Sequence, residues 1–276
     1  MKNTFQLLAV LSAFTLFASC KKHHDQPAIP PVVTYDADAQ KFFDSSAISD
    51  TSAMSAISDF VKQLKDSSLW AKLTAIYPMV GGSANTTKWN LKSPMNSDAA
   101  YRLTFTGTPT FSNTGVTFPS PGDFADTHVS DSLLAYNDNS ISYFSTTENT
   151  IDGYDMGCSD NVDPYNEFAI YQSQDATNWF GYYKHGPMPA STKGLFMLSA
   201  SSTDVKRFRN GVMTNSAGAS PSIGFTGMPI LIGSVSDAPA VGARECALAT
   251  IGKGFSDAEA LTFYNIVRSF EDRLKR

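Results

Sequence analysis

The chain has 276 residues, enough for one large domain or two small ones. Its formal charge is −5 and it carries no basic stripe, so it repels phosphate, and nucleic acid is excluded as a partner. Charged residues make up only 17% of it while Ser, Thr, Asn and Gly abound, a composition that suits exported proteins built of strands and turns.

Lys2 opens the chain with positive charge, residues 5–17 form an almost unbroken apolar run, and small Ala18 and Ser19 lead into Cys20. This three-part pattern predicts a secretory signal peptide over residues 1–19, too short to span a membrane. Cys20, followed by Lys21-Lys22-His23-His24, resembles the lipobox of bacterial lipoproteins, although Phe17 stands where Leu is usual. The resemblance implies a diacylated Cys20 as the new N-terminus, and so lipid attachment to the cell envelope, at the outer membrane. Residues 20–36, with Pro27, Pro30 and Pro31, read as a stiff tether in which His23 and His24 are simply solvated.

Residues 37–80 read as a helical segment packed on the domain that follows. Met54, Ile57, Val61 and Leu64 form one apolar stripe at helical spacing. A second short helix, capped at Ser67 or Ser68, would carry Leu69, Trp70, Leu73 and Ile76 and end at Pro78 and Gly81-Gly82. The stripe is narrow and the polar face is not basic, so this pair is expected on its own domain rather than on a membrane surface.

Residues 81–276 have the pattern of strands. Short β-rich runs at 101–106, 140–145, 167–171, 179–184, 194–199, 205–209, 228–233 and 245–250 are separated by polar turns. Asn210-Gly211 supplies the two positive-φ residues of a tight hairpin. The chain closes on a helix with a capping box at Ser256 and Glu259 and an apolar stripe at Ala260, Phe263, Val267, Phe270 and Leu274. Many short strands without helices between them predict an antiparallel sandwich or barrel.

The run from Val205 through Asn210-Gly211 to Ile230-Leu231-Ile232-Gly233 resembles the paired strands of concanavalin A-like and laminin-G-like sandwiches. Residues 88–92, 98–105, 244–249 and the continuation to Tyr264 are similar to a helix-prefixed sandwich module of exported Bacteroidetes and phage virion proteins. Together these resemblances imply a mainly β fold, an antiparallel jelly-roll β-sandwich with an N-terminal helical pair and a C-terminal helix. They suggest glycan recognition and name no reaction.

Chemistry is sparse. Glu148, Asp152 and Asp155 approximate the carboxylate series of sandwich hydrolases, but their spacing would not place all three on one strand face. His128 and His185 stand alone, and no nucleophile elbow, zinc spacing or phosphate loop is present. Asp155, Asp160 and Asp163, with Asn161 and Asn166, offer hard oxygens for a structural calcium ion, although such residues also populate turns. No other cofactor is expected. Cys158 and Cys246 form an even pair in an exported protein and are candidates for a disulfide; Cys246, in an apolar run, also reads as a small buried hydrophobe. Trp179 and Tyr183 fall on one face of an aromatic strand with Asn178 beside them, a stacking platform for a polysaccharide unless other elements bury it. The expectation is a non-catalytic, glycan-binding lipoprotein. A protein-recognition module and an atypical glycoside hydrolase or lyase are the alternatives.

Overall fold

The computed structural model describes residues 34–135, 137–149, 151, 153–159, 167–172, 191–201, 204–216, 227–235 and 242–276. The signal and lipid-attachment reading, with Cys20, lies outside them, as do Asp152, Asp160, Asp163, Asn178, Trp179, Tyr183 and His185. Among the described residues no helix is long and apolar enough to cross a membrane.

The helices are α1 (Ala37–Ser46), α2 (Thr51–Asp66), the single turn α3 (Ala84–Thr87) and α4 (Asp257–Arg273). The larger antiparallel sheet holds β1 (Leu73–Tyr77), β3 (Thr110–Phe111), β4 (Val116–Thr117), β6 (Asn139–Ser145), β9 (Gly194–Ser201), β10 (Asp204–Arg209), β11 (Val212–Ser216) and β13 (Glu245–Gly252). Its order is β11-β10-β9-β6-β13-β4-β3, and β1 pairs with the far half of β13. The smaller sheet is also antiparallel: β2 (Thr104–Thr106), β5 (Phe124–Ser130), β12 (Pro229–Ile232), β7 (Gly153–Ser159) and β8 (Glu167–Gln172), in the order β2-β5-β12-β7-β8.

The larger sheet has two hydrophobic neighbours, and its side chains alternate between them. Phe144, Leu195, Met197 and Phe208 face a core shared with the helices. Ile141, Tyr143, Phe196, Leu198 and Val205 face the smaller sheet. That second core is closed by Ala125, Met156, Cys158, Phe168, Ile170, Ile230 and Ile232. The described molecule is therefore a layer of helices on a two-sheet sandwich, with the larger sheet buried on both faces.

The helices form where the sequence has the means to start and bury them. The Asp50 side chain accepts from Ser52 N and caps α2, which buries Ile57, Phe60, Val61 and Leu64. Phe60 stacks on Phe270 of α4 at 4.6 Å between ring centres. The expected capping box of α4 is present: Ser256 Oγ accepts from Glu259 N, and Ser256 N donates back to Glu259 Oε2. Asn210 and Gly211, at φ +50° and +75°, form the expected turn between β10 and β11.

The expected second helix is replaced by a short 3-10 turn at Trp70–Lys72 and by strand β1. A β-bulge explains the misleading spacing. Register shifts between Leu73 and Ala75, so Leu73 and Ile76 share the helix-facing side while Ala75 and Tyr77 face the other sheet. A three-residue spacing here comes from a kinked strand. The helix that partners α2 is instead α1, started by Asp36, whose carboxylate accepts from Asp38 N.

The candidate disulfide is not formed. Cys158 on β7 and Cys246 on β13 lie on different sheets and are both free, buried thiols. Each packs in the inter-sheet core, and Cys158 Sγ lies 3.8 Å from Asp131 Oδ2. Burial pushes both thiols well above their ordinary pKa.

Candidate functional site

A groove of about 470 Å³ opens where the end of β6, the start of β9 and the β10–β11 turn meet the outer side of α4. Its position follows from the hairpin. Gly194 begins β9 at φ +99°, and a Cβ there would stand 2.4 Å from Asn210 Oδ1 and 2.6 Å from Arg209 Nη1. Only glycine lets the chain pass so close to those groups. The freed space holds Asn210, whose Oδ1 accepts from Leu195 N at 2.9 Å and from Arg209 Nη1.

Arg209 is the central cation of the groove. Its guanidinium lies 4.4 Å above the Phe196 ring, and Nη2 donates to Ser191 O at 3.1 Å. Its Nε is buried with no hydrogen-bond acceptor. Burial lowers its pKa, while Tyr264 and Glu148 act in the opposite direction. Exposed Lys193 stands nearby on the strand lead-in. The other two groove cations are already engaged. Arg268 pairs with Asp272 at 2.8 Å, and Arg276 is held by Glu271 at 2.8 Å and by the carbonyls of Met79 and Pro78. Half-buried Tyr264, the hydroxyls of Thr146 and Ser191, and the Asn210 amide complete a polar lining with one aromatic ring.

Of the expected carboxylate series, Glu148 and Asp155 are among the described residues. Glu148 is exposed, accepts from Ser191 Oγ at 2.6 Å and from Thr192 N at 2.9 Å, and is held below its ordinary pKa by those bonds, the Ser191 bond first. A proton-donating acid would need the opposite shift. Asp155 stands on β7 rather than in a ligand loop and is 1% exposed. Arg244 Nε donates to its two oxygens at 2.8 and 3.1 Å, while Asp160 and Asp163, the other expected calcium ligands, lie outside the described residues. No metal-holding group of three His, Cys, Asp or Glu side chains occurs among the described residues. His128 is bonded to Thr104 Oγ1 at 2.8 Å, with Asp98 at 3.4 Å.

Outside the groove, the outer face of the smaller sheet carries aromatic side chains on β7 and β8. Tyr154 and Tyr171 meet edge to face at 4.7 Å, and Tyr154 donates to Glu167 Oε2 at 2.9 Å. Burial raises the pKa of Glu167. β8 leads directly toward the segment of Asn178, Trp179 and Tyr183. Sequence reasoning missed the groove because its residues come from four separate segments. Asn210-Gly211 signalled a turn but nothing about what the turn would hold.

The chain matches no family model and no curated protein. Among solved structures it is similar to a Trypanosoma rangeli sialidase in complex with sialic acid, at TM-score 0.52 and 9% identity, over 75% of this chain and 38% of that one. The same sialidase in complex with 2-keto-3-deoxy-D-glycero-D-galacto-2,3-difluoro-nononic acid gives a TM-score of 0.51 at 10% identity, over 76% of this chain and 39% of that one. Domain 4 of AbnA, a GH43 extracellular arabinanase from Geobacillus stearothermophilus in complex with arabinotriose, gives a TM-score of 0.42 at 17% identity, over 70% of this chain and 98% of that one. The chain spans less than two-fifths of the sialidase it resembles. At these identities the likeness is one of fold alone: a mainly β protein of two antiparallel sheets.

Proposed function

We propose that this is a lipid-anchored cell-envelope protein whose concanavalin A-like sandwich binds a glycan without cleaving it. The groove beside α4 carries the proposal. An aromatic ring, hydroxyls, an amide and guanidinium donors converging in about 470 Å³ suit a polyhydroxylated ligand and not an apolar one. Asn178, Trp179 and Tyr183 are the candidates for a second sugar contact. The lipid anchor rests on the residues before Lys21 alone. The test is electrophoresis of the purified full-length chain, in detergent, through gels containing different polysaccharides, with and without a calcium chelator, while assaying released sugar. Retardation without release is the expected result, and loss of retardation on chelation would show the structural calcium ion expected from Asp155, Asp160 and Asp163. Sugar release would overturn the non-catalytic reading.

A second reading, recognition of a protein partner, is favoured by one observation. Edge strand β11 exposes Val212 (61%) and Met213 (44%) next to Leu261 (46%) of α4. Silence of the chain on every polysaccharide tested would turn the assignment to that edge.

A further inference from the structure

Of the cations lining the groove, Arg209 and Lys193 form no close ion pair among the described residues, Glu148 acting on both only from a distance. No acid lines the groove among the described residues; nearby, Glu148 is bonded to Ser191 and Thr192, Asp272 to Arg268 and Glu271 to Arg276. Holding a guanidinium half out of water against a phenyl ring, with no carboxylate in direct contact, is costly for the unliganded protein. That cost has a use if an anion arrives with the ligand. A neutral sugar would be served by the hydroxyls and the amide alone. Nη1 and Nη2 of Arg209 each carry a second N–H besides those given to Asn210 and Ser191, and a guanidinium takes a carboxylate in its plane.

We infer that the groove binds an acidic glycan, with a sugar carboxylate taken by Arg209, assisted by Lys193, while Tyr264 packs on the sugar ring. This inference rests on the glycan reading and specifies its ligand class. The ligand carboxylate bonds the guanidinium directly, which Glu148 does not.

The experiment titrates the full-length chain with polygalacturonate, with its fully methyl-esterified form, with dextran sulfate and with neutral arabinan. Wild-type protein is expected to bind the free acid about tenfold or more tightly than the ester, as for a charge-assisted hydrogen bond. Arg209→Gln removes that preference, so that acid and ester bind alike, whereas Arg209→Lys keeps part of it. Because Arg209 also supports the β9 lead-in, exposed Lys193→Gln serves as a second variant, with a severalfold loss for the acid only. Equal wild-type binding to acid and ester would overturn the inference and leave the glycan reading standing. Tighter binding of dextran sulfate, with the same loss in Arg209→Gln, would overturn the carboxylate assignment in favour of any clustered anion. Failure to bind any of the four would end both readings.

Discussion

Removing Arg244 should be one of the most destabilising single changes in this protein. Its side chain is fully buried and its donors are distributed with little left over. Nε donates to Asp155, Nη1 to Asn149 Oδ1 at 3.1 Å and to Ile151 O at 2.8 Å, and Nη2 to Gly153 O at 3.0 Å. Asp155 belongs to the smaller sheet and Arg244 leads into β13 of the larger one, so the pair ties the two sheets at one corner. Tyr143, also of the larger sheet, holds the Arg244 backbone by donating to Arg244 O at 2.8 Å. In Arg244→Met the buried carboxylate of Asp155 loses its guanidinium, at a cost of about 3–5 kcal/mol. Two further carbonyls lose donors, so the upper end of that range is expected. Against a total stability of about 5–15 kcal/mol, this is a large fraction. The assay is urea unfolding at neutral pH, followed by tryptophan fluorescence, for Arg244→Met, Asp155→Leu and the double variant. The double variant should be less destabilised than the sum of the singles, because neither charge is then stranded. A cost below about 1 kcal/mol for Arg244→Met would refute the claim that this pair clasps the sandwich.

Phe60→Ala should cost roughly 3–5 kcal/mol in the same urea assay, since Phe60 is fully buried and stacked on Phe270. Gly157→Ala should prevent folding or lower the melting temperature severely: at φ +153° its Cβ would stand 2.4 Å from Phe168 O in the neighbouring strand, as circular dichroism melts can show. Lys92, 2.6 Å from Trp70 O and 4.0 Å from the Trp70 ring, is pushed down to about 8, chiefly by burial and secondarily by Lys65, against the pull of Asp38. Between pH 8 and its ordinary value of 10.5 the unfolded chain therefore holds more protons at this position than the folded one. Wild-type stability relative to Lys92→Met should rise across that window, and a flat difference would refute the assignment. Reducing agent should leave the melting temperature unchanged, and peptide mapping after thiol labelling should find Cys158 and Cys246 modified only in denaturant.

The elements that proved legible in the sequence are those whose signal is local. The α4 capping box, its stripe from Ala260 to Phe270, the α2 stripe and the Asn210-Gly211 hairpin all depend on residues within a turn or two of one another. What the pattern obscured depended on register and tertiary pairing. The bulge near Thr74 gave a strand the spacing of a helix, and strand β13 turns both Ala247 and Leu248 toward the helices through a second irregularity. Strand β5 alternates cleanly between half-buried and buried positions, but its inward side holds Thr127, so composition muted the signal. For the site, composition pointed to aromatics at Trp179 and Tyr183 because they cluster in sequence. The groove assembles Thr146, Ser191, Arg209 and Tyr264 from distant segments, and no spacing rule brings such residues together. Asp155 looked like a loop ligand among Asp and Asn neighbours. Its partner Arg244 is far along the chain, and only the fold shows that the carboxylate is already neutralised.

The claim that matters most is that the groove beside α4 holds the ligand. It is tested most directly by comparing full-length wild type and Tyr264→Ala on one gel containing a polysaccharide that retards the wild type, with thermal melts confirming that both are folded. The account predicts that Tyr264→Ala migrates as it does in a gel without polysaccharide. Retardation equal to wild type, in a folded variant, would contradict the placement of the site.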